Sequence, residues 1–456
     1  TATATVENNI AFHTAQQMKT AAEPYENLDH AILCEERKLR ITLAPEQREA
    51  VKMALSTKFC VITGGPGTGK TAVQRAILDL YQEKYPEAQI ICCAPTGQAA
   101  QRMKESSGLS ASTIHKALCI KANPDGTLTE GIMLNADLIL VDEVSMMDAF
   151  LAERLFTAIP PHARLILVGD ADQLPSVGPG AVLKDIINSG VVPVVRLDHV
   201  FRQSAGSRIA TNARLIKHGN LSMEYGPDFM FFDSKDLAVS ADIIENLYMQ
   251  EVQKFGVDGT AFLTPFRRRT ETSVDAMNAR LQALVNPPAP GKAEAVSGQL
   301  RFRLGDKVMQ IKNNYQLEWE VVSRYGIPID KGVGIFNGDM GIIREIDEYA
   351  QTVLVEYDEQ RRVTYTYPQM EEVELAYAIT IHKSQGSEYP AVIIPLLQGP
   401  RLLFNRNLLY TGVTRARGCV TILGSRKVVQ EMIANESENR RYTSLDVRIR
   451  ELKGEV

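Results

Sequence analysis

One octapeptide, GGPGTGKT at residues 64–71, restricts this chain more than any other feature. It follows an apolar run, FCVIT at 59–63, and opens a helical stretch, KTAVQRAILDLYQEKY at 70–85, that Pro86 ends. The pattern G-x-x-x-x-G-K-[ST] between a strand and a helix is a phosphate-binding loop. Its glycines let backbone N–H groups turn inward around phosphate oxygens, and the helix N-terminus adds a favourable dipole. Gly65, Pro66, Gly67, Thr68 and Gly69 are the expected cradle. Lys70 is expected to reach the β- and γ-phosphates of a nucleoside triphosphate, and the Thr71 hydroxyl to coordinate Mg2+. The chain must therefore fold around a parallel strand–loop–helix unit.

The surrounding pattern agrees. IICCA (90–94), ADLILVD (136–142) and RLILVGD (164–170) are apolar strands separated by helical stretches, as in parallel βαβ units. LILVDEVSMMD (138–148) ends its strand in two acids. Asp142 is the expected second Mg2+ ligand, and Glu143 the expected general base for the attacking water. A second α/β series begins at AFLTPF (261–266) and resumes with AYAITIH (376–382), AVIIPLL (391–397) and CVTILG (419–424). Between them FRLGDKVMQIKNN, NGDMGIIREID, QTVLVEYD and RRVTYTY alternate in short segments, which indicates a small all-β module at 300–375. ALCIKANPDGTLTEG carries Asn-Pro-Asp-Gly between two strand-like arms and reads as a hairpin within 116–134.

Composition narrows little further. Apolar residues make up 45% of the 456 residues and charged residues 23%, ordinary values for a soluble chain of two to four domains. No stretch approaches the ~20 apolar residues of a membrane helix, so no membrane partner is expected. The six cysteines never form C-x-x-C, which points away from structural zinc and toward a reducing, cytoplasmic setting. The net charge of −5 argues mildly against a nucleic-acid track, although a local basic groove is compatible with it. Because the chain opens on Thr1 rather than Met, residues 1–40 are expected to be the remnant of an N-terminal helical region.

LVGDADQLPSVGPG (167–180) separates a plain hydrolase from a motor. A glutamine can donate to a phosphate oxygen and accept from water, so Gln173 can sense the γ-phosphate without neutralising it. GDADQLPSVGPG resembles the third motif of superfamily-1 helicases, in which this glutamine links nucleotide to DNA. The resemblance runs in order over roughly residues 41–425. LAPEQREAV (43–51) resembles the segment whose glutamine, here Gln47, recognises adenine. APTGQAAQRM (94–103), with Pro95, Thr96 and Gly97, and STIHK (112–116), with Thr113 and His115, resemble strand-contacting motifs. HVFRQ (199–203) implies an arginine finger, Arg202, with Phe201 near the base. YAITIHKSQGSEYPAVI (377–393) implies DNA contacts from Thr380, His382, Lys383 and Ser384, with Gly386 and Glu388 at the nucleotide. LLYTGVTRAR (408–417) implies a second finger, Arg415.

Among these helicases the chain most resembles the RecD-like 5′→3′ DNA helicases of the 1B branch. The implied fold is α/β: two RecA-like phosphate-loop lobes with parallel sheets, a β-hairpin pin and an SH3-like β insertion. The expected boundaries are 41–240 for the first lobe, 241–299 with 376–456 for the second, and 300–375 for the insertion. ATP would lie at the lobe interface, with single-stranded DNA or a single/double-strand junction across the top. A monomer in the bacterial cytoplasm, serving DNA repair or recombination, is expected. The rival readings are a non-unwinding ATP-driven remodeller and an RNA helicase. Two departures stand out: Gln98 occupies a place commonly lysine, and 315–341 is longer than the usual connection. Arg267–Arg269 reads as a solvated run, and Trp319 as packing against the β module.

Overall fold

The computed structural model describes residues 2–121, 123, 125, 127–200, 206–437 and 441–454, with the backbone alone for Leu237 and Ala238. It divides into unit 1, residues 1–210 and 439–456, and unit 2, residues 211–438. Among the described residues no helix is long and apolar enough to cross a membrane.

Unit 1 begins with α1 (Ala2–Lys19), α2 (Leu28–Leu39) and α3 (Pro45–Ser56). It continues through β1 (Phe59–Gly64), α4 (Lys70–Lys84), β2 (Ile90–Ala94), α5 (Gly97–Ser107), β3 (Ala111–Thr113) and α6 (Ile114–Ala117). β4 (Leu138–Val141), α7 (Ala149–Ala158), β5 (Arg164–Gly169), α8 (Val182–Ser189) and β6 (Val194–Leu197) complete the series. The six strands form one parallel sheet in the order β3-β2-β4-β5-β1-β6. α4 shows why: Val73, Ala76, Ile77, Leu80 and Tyr81 recur at helical spacing and are all buried. They meet Ile62, Leu140, Ile166 and Val168 from the sheet in one core.

In the segment of the expected hairpin, Thr129 N donates to Lys121 O at 2.8 Å and Asn123 N to Thr127 O at 2.6 Å. Among the described residues this segment holds no strand, and Ala122, Pro124 and Gly126 lie outside them.

Unit 2 contains β7 (Phe229–Asp233) and β8 (Thr260–Thr264), then the short hairpin of β9 (Glu294–Ser297) and β10 (Leu300–Arg303). Next come β11 (Lys307–Gln310), β12 (Asn314–Val322), β13 (Pro328–Ile335), β14 (Met340–Asp347), β15 (Thr352–Tyr357), β16 (Arg362–Thr366) and β17 (Val373–Leu375). These seven form a sheet in the order β13-β12-β16-β15-β14-β11-β17, and every pairing is antiparallel. β18 (Ala378–Thr380), β19 (Tyr389–Leu396) and β20 (Ala416–Gly424) then join the earlier strands in a parallel sheet, β18-β8-β19-β20-β7.

The structure corrects two expected boundaries. FMFFD at 229–233, assigned to the first lobe, pairs in parallel with β20 of unit 2, from Val420↔Phe229 to Gly424↔Asp233. An apolar strand goes where an edge needs a partner, and periodicity does not say which sheet offers it. Likewise 441–454, assigned to the second lobe, belongs to unit 1. The helix Leu445–Gly454 buries Leu445 and Ile449 completely and packs on α1 and α8. The long 315–341 connection is the β12–β13 hairpin, in which Trp319 faces Gly332 and packs on the module core.

Candidate nucleotide site and strand-end surfaces

β1, β5 and β4 lie side by side, so their C-terminal ends bring the phosphate loop, Asp170 and Asp142 to one edge of the sheet. In doubly wound parallel sheets ligands bind outside that edge. The loop takes its shape from Gly67 (φ 72°) and Gly69 (φ 77°), whose left-handed conformations suit glycine. Thr68 Oγ1 donates to Gly65 O at 2.7 Å, bracing the turn. Lys70, the first residue of α4, donates its ammonium to Gly64 O at 2.5 Å and Gly65 O at 3.1 Å. Thr71 is exposed beside it. Gln47 is buried, and both ends of its amide serve the chain. Oε1 accepts from Ala44 N at 2.9 Å, and Nε2 donates to Thr68 O at 2.9 Å. Gln47 thus ties α3 to the loop, which the adenine assignment did not anticipate.

Asp142 N donates to Cys93 O at 3.0 Å, and its carboxylate accepts from Glu143 N at 2.8 Å. Burial, with the neighbouring Glu143 charge adding to it, raises the Asp142 carboxyl above its ordinary range, while Lys70 opposes the shift. Glu143 adopts φ 54°, and its Oε1 accepts from Arg102 Nη2 at 3.1 Å. Arg102 is a residue that sequence reasoning missed, because its helical spacing in GQAAQRM carries no sign of a partner forty-one residues on. Gln173 is buried, with Nε2 3.4 Å from Asp170 Oδ2. Among the described residues its Oε1 has no hydrogen-bond partner. Ala171 N donates to Thr63 Oγ1 at 3.2 Å, tying the ends of β5 and β1 together.

The strand-contacting candidates of unit 1 have local duties as well. Thr96 Oγ1 accepts from Ala99 N at 3.3 Å and caps α5, next to Pro95 and Gly97. Thr113 Oγ1 accepts from Lys116 N at 3.1 Å and caps α6. Burial, then the charge of Arg154, pushes the His115 imidazole down to about 4, so it is neutral at physiological pH. Phe201 and Arg202 lie outside the described residues.

In unit 2 the turn after β18 gathers four candidates. Thr380 Oγ1 accepts from Lys383 N at 3.2 Å, and Ser384 Oγ donates to Ile381 O at 2.7 Å. Lys383 Nζ donates to Asn337 Oδ1 in the β module. Burial lowers both His382 and Lys383, with Glu374 opposing the shift at Lys383. Gly386 takes φ 77°, and Glu388 Oε2 lies 3.8 Å from Arg417 Nε. Arg415 is buried, donating to Thr411 O (3.1 Å), Ser387 O (3.0 Å) and Thr414 Oγ1 (3.2 Å). Arg267 and Arg268 are ion-paired with Glu374 and Asp275.

A phosphate loop, a strand-end Asp-Glu and a buried glutamine on three adjacent parallel strands define a phosphate-loop nucleoside triphosphatase. A second parallel α/β unit carrying an antiparallel module narrows the class. Family models match as an AAA domain at 47–179, the SH3 domain of ATP-dependent RecD-like DNA helicases at 277–357, and a UvrD-like helicase C-terminal domain at 375–423. The chain is 31% identical to the RecBCD enzyme subunit RecD of Mycobacterium tuberculosis, over 88% of this chain and 72% of that protein. It is 34% identical to the ATP-dependent RecD2 DNA helicase of Deinococcus radiodurans, over 91% of this chain and 53% of that protein. The chain thus spans about half the length of this relative. The Bacteroides Pif1 helicase solved with ADP-AlF3 and single-stranded DNA shares the fold, at 18% identity and TM-score 0.50, over 86% of this chain and 94% of that one. The chain belongs to the RecD-like family of ATP-dependent DNA helicases.

Proposed function

We propose that this chain is an ATP-driven motor that moves 5′→3′ on single-stranded DNA and separates duplex DNA ahead of it. One observation carries the reading. Gln173, whose Oε1 has no hydrogen-bond partner among the described residues, stands beside Asp170 at the strand edge that also holds the phosphate loop and Asp142–Glu143. A hydrolase without a track has no use for a buried, half-satisfied amide there, since such an atom costs about 1–3 kcal/mol. A sensor that completes its bonding only with the γ-phosphate does.

The residues fit ATP and Mg2+. The loop amides and Lys70 suit the phosphates, and the Thr71 hydroxyl with the Asp142 carboxylate would hold the cation. Two adjacent carboxylates, one of them raised by burial, are an environment a divalent cation relieves. Mg2+, when bound, would supply charge neutralisation at the β- and γ-phosphates. Glu143 orients the attacking water and accepts its proton, and Arg102 fixes the carboxylate that does so. Arg202 and Arg415 act as arginine fingers, and Gln47 and Phe201 hold the base side. The turn Thr380–Ser384, with Thr96, Thr113 and His115, contacts the strand. Lys383 and the neutral histidines contact phosphate and base edges without a strongly basic face.

The 116–134 turn is the wedge at the junction, and the protein works as a monomer in the bacterial cytoplasm. Strand displacement on 5′- and 3′-tailed DNA and RNA duplexes tests the reading. Unwinding of the 5′-tailed DNA alone is the expected result. ATP turnover without displacement would identify a remodeller, and displacement of RNA would identify an RNA helicase.

A further inference from the structure

The loop that follows Gln173 is gripped from two sides. On one side Ala149 N, at the start of α7, donates to Pro179 O at 2.8 Å. A Cβ on Gly178 would come within 2.3 Å of Asp148 Oδ2, so the loop lies flush against Asp148, which caps α7 through Leu151 N at 2.8 Å. Asp148 follows the Asp142–Glu143 strand end by a single 3-10 turn, Val144–Met146.

On the other side stands Arg441, more than 260 residues later in the chain. Its Nη1 donates to Gly180 O at 2.7 Å, to Ser176 Oγ at 3.3 Å and to Gly178 O, and its Nη2 donates to Ser176 O. One guanidinium thus holds three backbone carbonyls and a hydroxyl of Ser176–Gly180. Only the planar, five-donor fork of arginine meets so many acceptors at once.

The segment around Arg441 is anchored in turn. Thr443 Oγ1 donates to Asp185 at 3.2 Å, Ser444 Oγ to Glu7 at 2.8 Å, and Arg448 Nε lies 3.4 Å from Glu7. Leu445 and Ile449 are fully buried against unit 1. The chain reaches this strap directly after the helix Arg426–Ala434 of unit 2. Arg441 and the loop it holds both belong to unit 1, so the strap and the sensor loop share one unit.

We propose that Arg441 is a positioning residue for Gln173: it fixes Ser176–Gly180 so that the Gln173 amide keeps one orientation at the nucleotide edge. It thereby couples hydrolysis to the DNA track. Leu174-Pro175 is the only chain between the sensor and the gripped loop, and Pro175 stiffens that link. With the fork gone, the loop keeps its contact with Asp148 and Ala149 but loses its opposite wall, and the amide loses its fixed orientation. Lys70 is braced by the phosphate-loop carbonyls and the Asp142 carboxylate by Glu143 N, so turnover without DNA should survive.

The proposal rests on Gln173 being the γ-phosphate sensor, and its test keeps the two apart. Basal and single-stranded-DNA-stimulated ATPase are measured for the parent, Arg441→Ala, Arg441→Lys, Gln173→Ala and the Gln173→Ala/Arg441→Ala double variant, at matched folded fraction. Arg441→Ala should lower the stimulated rate roughly tenfold or more while the basal rate stays within about twofold. Arg441→Lys should restore only part of the loss, because an ammonium replaces one corner of the fork. The double variant should lose no more stimulation than Gln173→Ala alone, since both act through one element.

Unaltered stimulation in Arg441→Ala, with Gln173→Ala impaired, overturns the strap proposal alone. So do losses that multiply in the double variant, or a parallel fall of both rates, which marks a merely structural arginine. Unaltered stimulation in Gln173→Ala removes the sensor reading and the proposal with it. If Arg441→Ala does not fold, Arg441→Lys with and without Gln173→Ala gives the same comparison, and the same outcomes support or overturn the strap.

Discussion

At the scale of single residues the proposed function divides the strand-end edge into groups that bind and groups that react. Among the described residues the Lys70 ammonium donates to loop carbonyls of its own turn, so in the proposed role Lys70→Ala removes the phosphate contact without opening the core. ATP turnover should fall to background while the thermal midpoint moves by no more than a few degrees. A folded variant with parental turnover would remove the phosphate-loop assignment. Glu143→Gln keeps the shape and the Arg102 contact but loses the proton acceptor. It should bind nucleotide as the parent does and hydrolyse it about 100-fold more slowly or worse. Parallel loss of binding and hydrolysis would contradict the role. His115 gives a pH signature. Unfolded, its imidazole protonates near 6.5, whereas burial delays protonation in the folded chain to about 4. The unfolded state therefore binds the extra proton between these values. The contribution is complete above pH 6.5 and is lost as pH falls toward 4, by roughly 2–3 kcal/mol. Denaturant titrations from pH 7 to 4 should show this loss, and His115→Asn should flatten the slope.

At the scale of elements, what the sequence made legible was local, and what it hid was pairing. The strand–loop–helix at 59–85, the Asp-Glu strand end and the alternating β module all follow from residues close together in the chain. The Gly-Asp pair in FRLGDKV reads as a turn, but its sequence says nothing of its role. Asp306 is fully buried and accepts from Tyr377 Oη (2.8 Å), Gln282 Nε2 (2.7 Å), Asn286 Nδ2 (2.7 Å) and Arg303 N (2.6 Å). This carboxylate pins β11 and β18 to the helix Val274–Val285, through partners up to seventy-one residues away. No pattern in FRLGDKV announces that. Asp306→Ala leaves several buried donors without an acceptor and should destabilise unit 2 by roughly 3 kcal/mol or more. Urea unfolding is the measurement, and a change below about 0.5 kcal/mol would show that the donors find other partners. The same blindness explains β7 and the C-terminal helix. Each is an apolar segment whose address depends on which edge or face lies uncovered, and local period does not encode that.

At the scale of the whole molecule the proposed function raises the question of how a chain of net charge −5 would hold a polyanion. The net charge does not favour long-range steering of DNA. Affinity must come from short contacts at the strand ends, where much of the donor set is uncharged. His115 is pushed neutral, His382 is lowered, and Thr96, Thr113 and Thr380 offer hydroxyls. Lys383 is one basic side chain in the proposed set, and it already shares its ammonium with Asn337. Counterion release per single-stranded phosphate gives a log–log salt slope of about −0.7 for each cation engaged, so few cations mean a shallow slope. Binding to single-stranded DNA should therefore weaken with salt, with a total slope of only about −1 to −3, far from that of a strongly basic DNA protein. Lys383→Ala should make it shallower by roughly 0.7, whereas Thr380→Val should lower affinity and leave the slope unchanged. Titrations of a labelled oligonucleotide across a range of salt concentrations decide this. A flat line would mean that phosphates are not contacted at all, and a steep one would mean that the track lies on basic residues other than these strand ends.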